Sequence, residues 1–150
     1  MHLYFATALG FFGFSRGGLY AFNFALAHPE CVDKMYLDAP VLDLKTWPTK
    51  EKNPTEFNGM LASYGITEDE FLTFASSPVD KLEEFFALNI PLLVIAGDAD
   101  ATVPFEDNAG RLINYANASG YKITYVVEEG KDHHPHSLSD VSIILQFCNG

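Results

Sequence analysis

Hydrophobic and polar positions fall into short blocks that switch between two periods. Residues 3–14 form a nearly unbroken apolar run, the pattern of a strand buried on both faces. Residues 17–27 then carry Leu19, Phe22, Phe24, Ala25 and Leu26 at helical spacing, and Pro29 marks the end of that helix. Lys34–Val41 reads as a second buried strand, with Asp38 where the apolar run ends. Residues 42–88 have a different texture. Pro48, Pro54 and Pro78 punctuate them, and nine of the twenty acidic residues lie there. Helix starts are predicted at Asn53-Pro54, at Thr67 with Glu70 three residues on, and at Ser77-Pro78. Ile90–Ala96 is a third continuous apolar strand. A helix over 105–117 opens after Pro104 and stops at Gly120. Tyr121–Val127 is the last strand, and 128–137 is a polar loop with His133, His134 and His136. Ser139 caps a final helix over 140–148. The order β-α-β, insertion, β-α-β, loop, α predicts an α/β fold: about four mostly parallel strands with flanking helices. In such a fold the 42–88 insertion sits over the strand ends as a helical lid, and 1–150 make a single domain.

Composition narrows the function. The chain has 150 residues, 48% hydrophobic and 14% aromatic, enough for a substantial core. Its net charge of -11 with no basic cluster argues against nucleic-acid binding, which rewards grouped Lys and Arg. Cys31 and Cys148 have no metal-finger spacing and are expected to be small buried apolar residues. The first apolar run has no basic residue before it and is too short to span a bilayer. It therefore reads as core, not as a signal peptide or membrane segment, with a cytoplasmic location by default.

The chemistry starts at Gly13-Phe14-Ser15-Arg16-Gly17, a G-x-S-x-G between a strand and a helix. Its glycines are expected where strand and helix backbones approach too closely for a side chain. A serine hydroxyl needs a base to take its proton, and the base needs a carboxylate to fix its tautomer. Asp100 follows the third strand and His133 the fourth, with Asp98 and His134 beside them. Loops after parallel strands emerge at one edge, so these distant residues can meet. Asp98 also suits a turn cap, and His136 a packing or hydrogen-bonding role. H-H-x-H resembles metal-ligand spacing, but H-E-x-x-H is absent and no carboxylate–His pair at helical spacing completes a site, so no metal and no cofactor are expected. Arg16 and Asp38 belong to the same edge. Phe14, Trp47, Phe57 and Tyr64 are candidates to line a pocket, although packing within the lid is the safer reading for the last three.

These motifs resemble the α/β-hydrolase superfamily over nearly the whole chain. GFSRGG is similar to its nucleophile elbow, GDADATVP to its acid loop, and KDHHPHSL to the histidine loop of a prolyl-oligopeptidase-like, esterase-type bacterial subgroup. The resemblance implies Ser15 as nucleophile, Asp100 over Asp98 as the acid, His133 over His134 as the base, and the Arg16 N–H as an oxyanion donor. Phe14 and Trp47 are the expected substrate contacts. It implies a serine hydrolase acting on carboxylic esters, with a hint of esters on carbohydrates. The family pattern also has strands before the elbow strand, and a loop there gives a second oxyanion donor. This chain is expected to hold the C-terminal half of that fold, with its elbow strand as an open apolar edge. Pairing with a partner or a second copy along that edge, as a non-catalytic or weakly active half-domain, is the alternative reading.

Overall fold

The structure is a computed structural model that describes residues 9–150; residues 3–8 of the first apolar run lie outside the described residues. Four strands form one parallel sheet: β1 (Leu9–Phe14), β2 (Val32–Asp38), β3 (Leu92–Gly97) and β4 (Thr124–Glu128), in that spatial order. All six residues of β3 are buried, as its unbroken apolar run requires of an interior strand. β1 pairs only with β2 among the described residues, and Leu9, Phe12 and Phe14 are 64%, 53% and 44% exposed. The register sets Phe14 opposite Asp38, Asp38 opposite Ile95 and Gly97 opposite Glu128. The carboxyl ends of all four strands are therefore level, and the loops that leave them share one edge.

Side-chain alternation along the strands divides the core in two. Met35, Leu37, Leu92, Val94 and Ala96 face a layer of three helices: α1 (Arg16–Ala27), α4 (Leu82–Ala87) and α5 (Ala109–Ser119). Phe22 of α1 stacks on Phe85 of α4, with ring centroids 4.2 Å apart at the centre of this layer. Tyr36, Leu93 and Ile95 face the other way, against Leu138 and the Ile144 and Phe147 side chains of α6 (Ser142–Asn149). Lys34 ties α6 down by donating from Nζ to the carbonyls of Phe147 and Cys148, at 3.2 and 3.1 Å.

The segment between β2 and β3 holds α2 (Pro54–Tyr64), α3 (Glu68–Phe71), a 3-10 turn at Pro78–Lys81 and then α4. At α3, Thr67 and Glu70 form the expected capping box. Phe57 and Met60 of α2 build a separate cluster with Leu19, Val41, Leu44 and Val103, over the end of α1. The later part of the segment is not lid. Val79, Leu82, Phe85 and Phe86 enter the main core, because Leu82, Phe85 and Phe86 fall on one helical face. The lid-like portion thus ends before Pro78.

Several boundaries differ from the sequence reading. α5 begins at Ala109 because turns occupy the residues after Pro104, organised by the buried Asn108. Its Oδ1 accepts from the N–H groups of Leu42 and Asp43, both at 2.8 Å, and its Nδ2 donates to Thr46 Oγ1 and the Pro104 carbonyl. β4 starts at Thr124 rather than Tyr121. The last helix starts at Ser142, whose N–H donates to Asp140, so Ser139 is not its cap. Ser77 does start the turn at Pro78–Lys81, its N–H donating to Asp80 Oδ2 at 3.0 Å, while its Oγ accepts from the Leu44 N–H. Cys31 is exposed and Cys148 half-buried, both as free thiols, so neither is the buried apolar residue expected. No helix among the described residues is long and apolar enough to cross a membrane.

Candidate active site

Ser15 stands between β1 and α1 at φ 50°, ψ -120°, a conformation L-residues rarely adopt. Backbone hydrogen bonds hold it there. Its N–H donates to the Asp38 carbonyl, and its own carbonyl accepts from Gly18 and Val41, all at 2.9 Å. Close approach is real, but it falls on a different pair of glycines from the motif's flanks. A Cβ on Gly13 would lie 2.7 Å from Gly18 Cα, and one on Gly18 would lie 2.5 Å from Pro40 Cβ. Gly17 has nothing within 4 Å of that position, so the motif's second glycine is not required by space. The N–H of Arg16 opens α1 and has no intrahelical partner, which leaves it available at the positive end of the helix.

The turn after β3 carries Asp100, and the loop after β4 carries His133. Asp100 Oδ1 accepts from the N–H groups of Thr102 and Val103 at 2.9 and 2.8 Å, which aims Oδ2 at His133 Nδ1, 2.7 Å away. His133 Nε2 lies 2.8 Å from Ser15 Oγ. The His133 and Asp100 side chains are 5% and 2% exposed, so water is kept from that bond. With Nδ1–H donating to the carboxylate, Nε2 presents its lone pair to the serine hydroxyl. The structure thus brings Ser15, His133 and Asp100 into one hydrogen-bonded chain. Asp98 does not face it; its Oδ1 accepts from the Gly130 N–H at 2.6 Å, a turn role. His134 is exposed beside His133, outside the chain of hydrogen bonds.

Two further carboxylates position the histidine loop, and neither role is visible in the linear sequence. Asp132 Oδ1 accepts from the N–H groups of Ala101 and His133 at 2.9 and 2.7 Å, which joins the acid loop to the histidine loop. Those N–H bonds hold its carboxyl below the ordinary aspartate range. Asp38 is buried and accepts from Tyr36 Oη (2.6 Å), the Ser137 N–H (2.7 Å) and His136 Nδ1 (2.8 Å). Burial and the Asp38 carboxylate push the Tyr36 hydroxyl far above its usual range, so it stays a neutral donor. His136 therefore hydrogen-bonds to β2 and pins the far side of the loop.

A cleft of about 400 Å³ opens on Ser15, lined by Phe14, Arg16, Gly17, Trp47 and Glu56. A larger one of about 530 Å³ continues between α1 and α2, past Tyr20, Met60 and Tyr64. Arg16, Trp47 and Glu56 line both, so they form the passage between them. Phe57 is buried in the α2 cluster, the lid-core role that was its safer reading. Glu56 was missed from sequence: a first-turn acid of a helix reads as solvated.

The model of the prolyl oligopeptidase family matches residues 2–147. Among curated proteins, none matches significantly. Solved structures share the fold at low identity. Dipeptidyl peptidase 4 of Porphyromonas gingivalis is 16% identical with a TM-score of 0.60, over 91% of this chain and 18% of its own. A puromycin-hydrolyzing peptidase of Mycobacterium tuberculosis is 18% identical with a TM-score of 0.60, over 83% of this chain and 18% of its own. A carboxylesterase from Lactobacillus plantarum is 16% identical with a TM-score of 0.58, over 83% of this chain and 45% of its own. The chain spans less than a fifth of the two peptidases and under half of the carboxylesterase. With its parallel sheet and strand-end loops, the chain belongs to the prolyl oligopeptidase family and carries part of the α/β-hydrolase fold.

Proposed function

We propose that the chain is the triad-bearing part of a serine hydrolase whose substrates are carboxylic esters. The observation that carries the reading is the buried relay from Asp100 through His133 to Ser15 Oγ, at 2.7 and 2.8 Å. Ser15 Oγ attacks the acyl carbon while His133 Nε2 takes its proton. The Arg16 N–H stabilises the oxyanion, and Asp100 stabilises the imidazolium. His133 returns the proton to the leaving alkoxide, and the acyl-enzyme is then opened by a water that His133 deprotonates. Esters are favoured over amides because an alkoxide leaves with less help than an amine. One oxyanion donor is supplied by the described residues, and losing a donor costs about 10²–10³ in rate. Phe14 and Trp47 flank the acyl group in the cleft beside Ser15, and the larger cleft takes its distal part. Labelling with a fluorophosphonate tests the assignment. Wild type should be labelled and Ser15→Ala should not, with unchanged circular dichroism; equal labelling of the two overturns it.

The exposed Leu9, Phe12 and Phe14 of β1 favour a second reading, in which the chain pairs along that edge with a partner or second copy and is inactive or weakly active alone. Light scattering coupled to size exclusion separates the two: a strictly monomeric chain that turns over an ester removes the second.

A further inference from the structure

Three imidazoles meet at the histidine loop. One ligand nitrogen from each of His133, His134 and His136 lies within 4.8 Å of the others. Their ring centroids are 4.8, 5.0 and 4.7 Å apart, and the planes cross at 80°, 77° and 76°. Stacked rings would offer faces to one another. These meet edge to face, which leaves a nitrogen of each ring free to turn toward a common point.

The outer contacts are those a metal site needs. His133 and His136 each engage a buried carboxylate through Nδ1: Asp100 at 2.7 Å and Asp38 at 2.8 Å. A carboxylate on Nδ1–H fixes the tautomer and leaves Nε2 unprotonated and more basic. His136 Nε2 meets no side-chain or backbone partner among the described residues. His134 is exposed and free to turn. The linear spacing hid this, because the two carboxylates come from β2 and from the turn after β3, not from positions near the histidines.

We propose that His133, His134 and His136 bind a Zn²⁺-class divalent ion, and that the ion inhibits hydrolysis. The inhibitory half rests on the triad assignment above; the binding half does not. Zinc–imidazole bonds of 2.0–2.1 Å place tetrahedral ligand nitrogens about 3.4 Å apart, so the cluster must close by about 1.4 Å. Rotation of exposed His134, with a pivot of part-exposed His136 about its bond to Asp38, supplies that. The ion takes the Nε2 lone pair of His133, which otherwise accepts from Ser15 Oγ at 2.8 Å. Ser15 keeps its proton, no base remains to take it, and water fills the fourth position. Nothing is oxidised or reduced. Hard oxygen-seeking ions such as Mg²⁺ gain little from three imidazoles and should not act.

The test is calorimetric titration of ZnCl₂ into the metal-free chain. His134→Gln and, separately, His136→Gln should each weaken binding at least tenfold, while His28→Gln, a control far from the loop, changes it less than twofold. Ser15→Ala should tighten binding, since it removes the competing hydroxyl. In parallel, each protein's ester hydrolysis is followed with added zinc relative to its own zinc-free rate. Wild type should be inhibited and restored by EDTA, and His134→Gln should need at least tenfold more zinc. Circular dichroism guards against unfolding, and having two separate ligand variants keeps the test valid should one of them fail to fold. Equal zinc affinity in wild type and folded ligand variants overturns the site. Binding without inhibition of an active enzyme overturns the regulatory half. Binding by a chain that never hydrolyses an ester instead counts against the triad reading alone.

Discussion

Substituting alanine at two glycines of the serine turn separates close approach from sequence pattern. At Gly13 the added Cβ would meet Gly18 Cα at 2.7 Å, and Gly17 O and Gly18 N at 2.9 Å each, against 3.4–4 Å for ordinary contact. All three obstacles are backbone of α1, so no side chain can swing aside. Relief requires moving the start of α1 away from β1 by about 0.7 Å. Overpacking costs about 1–3 kcal/mol, and a backbone obstacle belongs at the upper end. For a chain of this size about 3 kcal/mol lowers Tm by about 6–12 °C. The same shift strains the bonds from Gly18 and Val41 to the Ser15 carbonyl, and a displacement near 1 Å costs about 10²-fold in rate. At Gly17 nothing lies within 4 Å, and alanine in a helix gains up to about 1 kcal/mol over glycine. Gly13→Ala and Gly17→Ala should therefore move stability in opposite directions. Urea unfolding followed by circular dichroism, with the rate of fluorophosphonate labelling, measures both effects. Equal midpoints for the two variants would refute the argument that strand–helix contact selects the glycine.

Other perturbations test the layers around the turn. Phe22→Ala removes a fully buried ring stacked on Phe85 and should cost about 3–5 kcal/mol in urea unfolding. Tyr36→Phe takes away the 2.6 Å bond to Asp38 and leaves a buried carboxylate short of one donor; the expected cost is about 1–3 kcal/mol, with faster hydrogen exchange at residues 136–138. Asp132 is held below its ordinary range, so the folded chain binds fewer protons there than the unfolded chain. Its stabilisation is complete above about pH 4 and is lost as pH falls through the folded value. Asp132→Asn should accordingly flatten the acid side of the stability curve, and parallel urea-midpoint curves between pH 3 and 7 would contradict that.

Local pattern carried the sheet and the relay residues, and failed where structure depends on distant partners. β3 was legible because a strand buried on both faces leaves a continuous apolar run, Leu92 to Ala96. That Ser15, Asp100 and His133 could meet was legible because each follows a strand and loops after parallel strands share an edge; preferring Asp100 to Asp98 and His133 to His134 came from the family resemblance. Asn108 was not. Its four hydrogen bonds reach residues 42, 43, 46 and 104, and no window around 108 contains the first three. The helix start was misplaced for that reason. The lid boundary failed differently: α4 carries an amphipathic face that fits a lid helix and a core helix equally well, and only its docking on Phe22 decides between them. Gly17 failed because the G-x-S-x-G spelling does not reveal which glycine touches the opposing backbone.

The carboxylates at the strand ends explain how three loops from three strands keep hydrogen-bond register. Asp98 holds the chain leaving β4 at Gly130, Asp132 holds the acid loop at Ala101, and Asp38 holds the loop's far side at His136 and Ser137. His133 lies between these anchors, so its ring has little freedom before Asp100 engages it. A Cβ on Gly97 would overlap the Lys131 carbonyl, which shows how closely the histidine loop is drawn against the end of β3. The same anchoring gives His136 the carboxylate-bound tautomer of His133. A loop that orients His133 thus orients a second imidazole beside it, and exposed His134 lies next to both. The proposed ion site and the proposed catalytic base share one cause, because the carboxylate bond that leaves the Nε2 lone pair of His133 free for a proton leaves it equally free for a metal.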